Sequence, residues 1–148
     1  MSLEGLALGG VRYSNSRPVK RTVDFHGLTV SIELEVGETL DGLGEDGIPW
    51  SVTYAVPYGE IPDSKTLSDG EGVDVYVGTD IDAPNVFVVH QLRKDGTFDE
   101  DKVILCVTSA QEAKQVYTDH GPSWGFGGLD TMTVDEFLRG YLASNRKI

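Results

Sequence analysis

The 148-residue chain sets 24 acidic residues against 12 Lys and Arg, a net charge of −12, and carries 18 glycines and one cysteine. That length suits one domain with its own core, and a single cysteine excludes an internal disulfide and fits a reducing compartment. With neither a signal peptide nor an apolar run of membrane-spanning length, the sequence predicts a soluble, non-secreted protein with no membrane partner, and its acidity argues against a general nucleic-acid surface.

The charge is unevenly spread. Residues 1–22 carry Arg12, Arg17, Lys20 and Arg21 against Glu4, a net +3, and lack any hydrophobic period. They read as an extended basic arm, either solvated or laid on nucleic acid or an acidic neighbouring subunit, with the domain proper over 23–148. Residues 41–101 hold fourteen acids against Lys65, Arg93 and Lys94, a net −11.

After a turn at His26-Gly27, Leu28, Val30, Ile32 and Leu34 alternate with polar residues, which predicts a half-buried strand. A glycine-rich acidic loop over 37–49 leads to a second strand, Trp50–Tyr54, which Pro57 ends. Residues 57–72 read as a long irregular segment, and a compact domain seldom keeps one without a functional reason. Val73–Val77, Val86–Gln91 and Lys102–Val107 read as the third, fourth and fifth strands, the last two joined by a charged loop. Cys106 reads as a buried, inert thiol.

The period then changes. Ser109-Ala-Gln-Glu112 is a capping box that opens a helix to about Tyr117, and Thr133-Val-Asp-Glu136 opens a last helix with Phe137, Leu138, Tyr141 and Leu142 on its apolar face. Trp124 and Phe126, in the glycine-rich loop between them, read as loop anchors packed on the core. The dispersed His26, His90 and His120 have no metal-ligand spacing and read as structural. Five short strands and two helices predict an α+β domain: a small five-stranded, OB-like β-barrel, or a curled antiparallel sheet, with two helices packed against it.

The stretch 67–78, LSDGEGVDVYVG, starts as an acidic glycine loop and ends as an apolar run. Asp69 and Glu71 share a face of an extended segment, and Gly70 and Gly72 permit the backbone to curl until Asp74 converges with them. Converging carboxylates call for a cation, and hard oxygen ligands suit Mg²⁺, Mn²⁺ or Ca²⁺. The alternative is a solvated acidic turn ahead of a strand.

These pieces, with HGLTVSIE (26–33), DGIPWSVT (46–53), PYGEI (57–61), NVFVVHQ (85–91), DGTFDEDKVIL (95–105) and WGFGGLDTMTVDEF (124–137), resemble the inorganic pyrophosphatase-like domain of bacteriophage and prophage proteins. That domain is itself similar to the soluble family I inorganic pyrophosphatases. The resemblance implies that Asp69, Glu71 and Asp74 hold Mg²⁺, or Mn²⁺, and a metal-bound water. It implies that Asp95 and Glu100 complete the metal cluster, that Lys102 contacts phosphate, that Tyr58 lies near the substrate, and that Glu33 stands on the rim. Glu71, Lys102 and Tyr58 are thus the catalytic candidates, and pyrophosphate or a related small phosphate compound is the implied substrate.

The departures from the resemblance bear on charge. Glu71 and Glu100 stand where cellular members carry aspartate, Leu40 where phage relatives carry arginine, Gly125 where they carry lysine, and Glu60 adds an acid beside Tyr58. The expectation is therefore a pyrophosphatase-like protein with a retained carboxylate metal site and depleted phosphate-binding cations. The reading favoured is a non-catalytic protein of the phage head, in contact with other phage structural proteins through its arm and found in the virion or the bacterial host cytoplasm. The alternative is an active Mg²⁺-dependent pyrophosphatase or related phosphoanhydride hydrolase.

Overall fold

A computed structural model describes residues 18–44, 46–62 and 72–143. Among these residues are nine strands: β1 (Arg21–Phe25), β2 (Leu28–Leu34), β3 (Thr39–Leu43), β4 (Pro49–Thr53), β5 (Tyr58–Ile61), β6 (Val73–Val77), β7 (Asn85–Leu92), β8 (Phe98–Leu105) and β9 (Phe126–Thr133). Helix α1 covers Ala110–His120, and α2 (Val134–Glu136) runs on into a π-helical segment, Phe137–Leu142. Seven strands form one sheet in the order β1-β2-β5-β6-β8-β7-β9, while β3 and β4 pair as a separate hairpin. The α+β expectation holds. The sheet is not closed into a barrel: β1 and β9 are its edges, and β6 and β8 run parallel, so it is mixed rather than purely antiparallel.

The four strands beyond the expected five are those whose sequence argues against a strand. β1 is charged, β3 contains Asp41 and Gly42, β5 has four residues directly after Pro57, and β9 begins Phe-Gly-Gly. In β9 the glycines belong to an irregular pairing with β7 between Val89 and Gln91, where Gly128 takes φ +106°. Strand β8 begins at Phe98, so the last four residues of the expected charged loop, 98–101, are ladder. His26 and Gly27 both take positive φ in the two-residue β1–β2 turn, as the primed hairpin turns require.

Strand β2 corrects the simple alternation. Its pairing with β5 slips between Ile32 and Leu34, leaving Glu33 as a bulge. The bulge switches the face that follows it: Leu28, Val30 and Ile32 enter one core cluster and Leu34 enters the other. Glu33, expected on a rim, is buried, as is Ser31.

The two clusters lie on the two faces of the sheet. The first joins Val73, Val75, Val77, Val86, Val88, Val103 and Leu105 with Phe137 and Leu142 of the π-helical segment. The second joins Tyr58, Tyr76, Val89 and Ile104 with α1. Helix α1 buries Ala113, Val116, Tyr117 and His120, an i, i+3, i+4, i+7 stripe, and runs one residue triplet beyond its expected end. Both capping positions are real. At Thr133–Glu136 the two bonds are reciprocal, at 2.8 and 3.0 Å, whereas Glu112 is capped by Ser109 but reaches back to Thr108.

Trp124, expected to anchor its loop in the core, is 50% exposed, while Phe126 packs on the second cluster and beneath the Lys114 ammonium. Cys106 is buried, and burial, with Asp80 adding to it, pushes its thiol up to about 11. No helix among the described residues is long and apolar enough to cross a membrane.

Candidate functional site

The site is assembled by the three middle strands, β5, β6 and β8. Alternation along β6 turns Val73, Val75 and Val77 to one core cluster and Asp74 and Tyr76 to the α1 face. Along β8, Glu100, Lys102 and Ile104 share that face. The parallel register sets Asp74 directly beside Lys102, and the antiparallel register sets Tyr58 opposite Tyr76. Residues 28 or more apart in sequence thereby meet around one ammonium group.

Lys102 Nζ donates to Asp74 Oδ2 at 2.7 Å and to Tyr58 Oη at 3.0 Å, and lies 2.7 Å from Glu100 Oε2. The lysine side chain is 11% exposed and that of Glu100 only 4%. Burial alone would push Lys102 down; Asp74 and Glu100 outweigh it and hold the pKa well above the usual lysine value. Burial, then Asp74, pushes the Tyr58 phenol well above its usual value. A cation flanked by two carboxylates and a phenol in a nearly dry site stays charged.

Around this group stands an aromatic wall that no spacing in the sequence announces. Tyr58 and Tyr76 lie 4.8 Å apart between ring centroids, and Tyr54 packs on Tyr58 at 5.2 Å. His120, at the end of α1, lies against Tyr76 at 4.8 Å and Tyr54 at 5.3 Å. Its Nδ1–H donates to the Val116 carbonyl at 2.6 Å while Nε2 accepts the Ala55 N–H at 3.0 Å, which fixes one neutral tautomer. His120 therefore ties α1 to the segment that leads into Tyr58. Gly59, next to Tyr58, crosses β2 so closely that a Cβ there would sit 1.7 Å from the Ser31 carbonyl oxygen.

Of the residues expected at the site, Tyr58, Asp74, Glu100 and Lys102 come together. Asp69 and Glu71 lie outside the described residues. Asp95 sits in the exposed β7–β8 turn, where its carboxylate accepts the Thr97 N–H at 2.9 Å and hydroxyl at 2.6 Å; those bonds hold its pKa below the usual value. Among the described residues no three His, Cys, Asp or Glu groups gather in an arrangement that could hold a metal ion.

Leu40 and Gly125, the two positions at which the resemblance implied cations, are both packed against the second core cluster or its neighbours. Leu40, in β3, packs on the second core cluster. At Gly125 a Cβ would stand 2.7 Å from Tyr117 Oη, and that phenol is held in place by donating to Gln91 Oε1 at 2.8 Å.

The profile of the Inorganic Pyrophosphatase family matches residues 12–141. The chain belongs to the inorganic pyrophosphatase family. No curated protein and no solved structure matches it. Pyrophosphatases of this family generally use divalent metals such as Mg²⁺. The donor chemistry of Asp74 and Glu100 fits such an ion in kind. Both carboxylates, however, are bonded to Lys102, so the described residues do not by themselves make a metal site.

Proposed function

We propose that this pyrophosphatase-family protein has kept the carboxylate side of a phosphoanhydride site without the cations that turnover needs, and that it hydrolyses pyrophosphate very slowly or not at all. The observation that carries the reading is the engagement of its positive charges. Lys102 is bonded to Asp74 and Glu100. Among the described residues Lys20, Arg21, Arg93, Lys94 and Arg139 each lie within ion-pair distance of a carboxylate, and Lys114 stacks on Phe126. Phosphoryl transfer develops negative charge on the equatorial oxygens, and preorganised cations there typically supply several kcal/mol.

The protein would then act as a binding or structural component. A place in a phage particle is supported by the sequence resemblance and by the basic stretch at residues 12–21, suited to an acidic surface of a structural partner. In this reading Asp69, Glu71 and Asp74 hold a divalent cation and Asp95, engaged with Thr97 in its exposed turn, takes no part in holding it.

The second reading is a Mg²⁺-dependent pyrophosphatase, favoured by the meeting of Asp74, Lys102 and Tyr58 on one face. In that reading Asp69, Glu71 and Asp74 would hold the Mg²⁺, which would supply Lewis-acid chemistry, with Lys102 and Tyr58 facing the substrate. Phosphate release from pyrophosphate with Mg²⁺ or Mn²⁺ separates the two. The expected rate is that of an Asp74→Ala control; several turnovers per second, abolished by Asp74→Ala, would establish the enzyme instead.

A further inference from the structure

On the opposite face of the sheet from Lys102, His90 of β7 stands between two carboxylates. Its Nδ1 lies 2.8 Å from Asp101 Oδ1 on β8 and its Nε2 lies 3.0 Å from Asp130 Oδ2 on β9. The second oxygen of Asp101 accepts the Tyr141 hydroxyl at 2.8 Å, and the Tyr141 ring stacks on buried Phe137 at 5.4 Å. One imidazole and one carboxylate thus link β7, β8, the edge strand β9 and the helical segment that ends the described chain.

An ionised carboxylate only accepts hydrogen bonds, so both contacts are bonds only when the ring carries both protons. A neutral ring would turn a lone pair towards one of the anions. Asp130 is the contact to give way, because its side chain is 66% exposed, whereas Asp101 is 17% exposed and held also by Tyr141.

We propose that His90, Asp101, Asp130 and Tyr141 form a pH-dependent clasp that fastens β9 and the segment Phe137–Leu142 onto β7 and β8. The clasp is closed when the imidazole carries both protons and loosened when it loses one. The titratable groups facing the ring are Asp101 from β8, Asp130 from β9 and, across Asp101, the Tyr141 phenol. Glu100 of β8 adds to the negative field at Tyr141.

Burial works against protonation of His90, and the bonds to Asp101 and Asp130 outweigh it, raising its pKa above the usual histidine value. A raised folded-state pKa places the stabilisation fully below the unfolded value, about 6.5, and removes it as pH climbs through the folded value. The clasp therefore weakens as pH rises through the raised folded-state value.

Amide hydrogen exchange at pH 6 and pH 9, corrected for intrinsic rates, tests this on the whole chain. Protection over residues 126–142 is expected to fall at pH 9 relative to α1. The fall should be about tenfold for each unit by which the folded His90 pKa, read from its ring resonances, exceeds the unfolded one. Asp130→Asn, an exposed and conservative change, should shrink the fall, as should His90→Gln. If His90→Gln does not fold, Asp130→Asn carries the test. A wild-type protein with equal relative protection at both pH values would overturn the proposal, and so would an Asp130→Asn variant with an undiminished fall.

Discussion

Adjacent residues of β8 serve two polar clusters that share one charge plan, a single cation between two carboxylates. Lys102 stands between Asp74 and Glu100 on the α1 face, and one residue earlier Asp101 turns to the other face to meet His90 and Asp130. They differ in water and in the cation. The lysine cluster is nearly dry and its ammonium keeps its proton throughout the physiological range; the histidine cluster has a 33% exposed ring whose pKa the two aspartates raise above the usual histidine value. Burial makes the first costly to break and insensitive to pH, while exposure makes the second adjustable. In the proposed reading the same difference keeps Lys102 from serving a substrate: buried Glu100 and half-buried Asp74 already require its charge.

The largest effect is expected from Lys102→Met, which strands two carboxylates in a low-dielectric site and should cost about 3–5 kcal/mol in urea denaturation. In the wild-type protein the lysine contribution should stay flat from pH 6 to 9. Its folded pKa is raised, so the contribution is lost only at pH above the unfolded lysine value of about 10.4. A Lys102→Met loss no greater than that of exposed Asp130→Asn would mean that burial does not sort the two clusters.

Gly59→Ala comes next. The new Cβ meets backbone rather than a movable side chain. We predict a loss of about 3 kcal/mol, with the β2–β5 amides exchanging fastest. Wild-type stability in that variant would mean that the close crossing does not position Tyr58. Tyr58→Phe removes one hydrogen bond from a charged donor and should cost about 1.5–2 kcal/mol.

The smallest effect belongs to Asp95→Ala, which removes only the Thr97 contacts in an exposed turn and should cost about 0.5 kcal/mol. If the carboxylates around Asp74 bind Mg²⁺ in the native state alone, millimolar Mg²⁺ raises Tm. Asp95→Ala should leave that rise intact and Asp74→Ala should remove it. The reverse pattern would put Asp95, not Asp74, at the metal.

The parts of the molecule legible in sequence are those set by local pattern. The alternation of β2 and β6, the Ser109 and Thr133 caps and the Phe137–Leu142 apolar segment all follow from residues a few positions apart. The meeting of Asp74, Lys102 and Tyr58 followed from the family resemblance, not from spacing, because strand order and register are non-local. For the same reason the Tyr54, Tyr76 and His120 wall and the His90 clasp had no signal beyond a histidine in an apolar run. The Glu33 bulge reversed the direction of Leu34, and a period-2 pattern cannot announce an extra residue. In β9 the glycines that usually mark a loop marked an irregular edge strand instead.

In the proposed reading the Lys102 charge is committed to Asp74 and Glu100 and is not offered to phosphate. Side-chain ¹⁵N NMR of the Lys102 ammonium reports this directly, with Lys102→Met assigning the signal if that variant folds, and Lys102→Arg otherwise. With Mg²⁺ present throughout, a slowly exchanging resonance is expected whose shift and line width do not change when pyrophosphate is added. A saturable shift of that resonance with pyrophosphate, absent with Mg²⁺ alone, would contradict it.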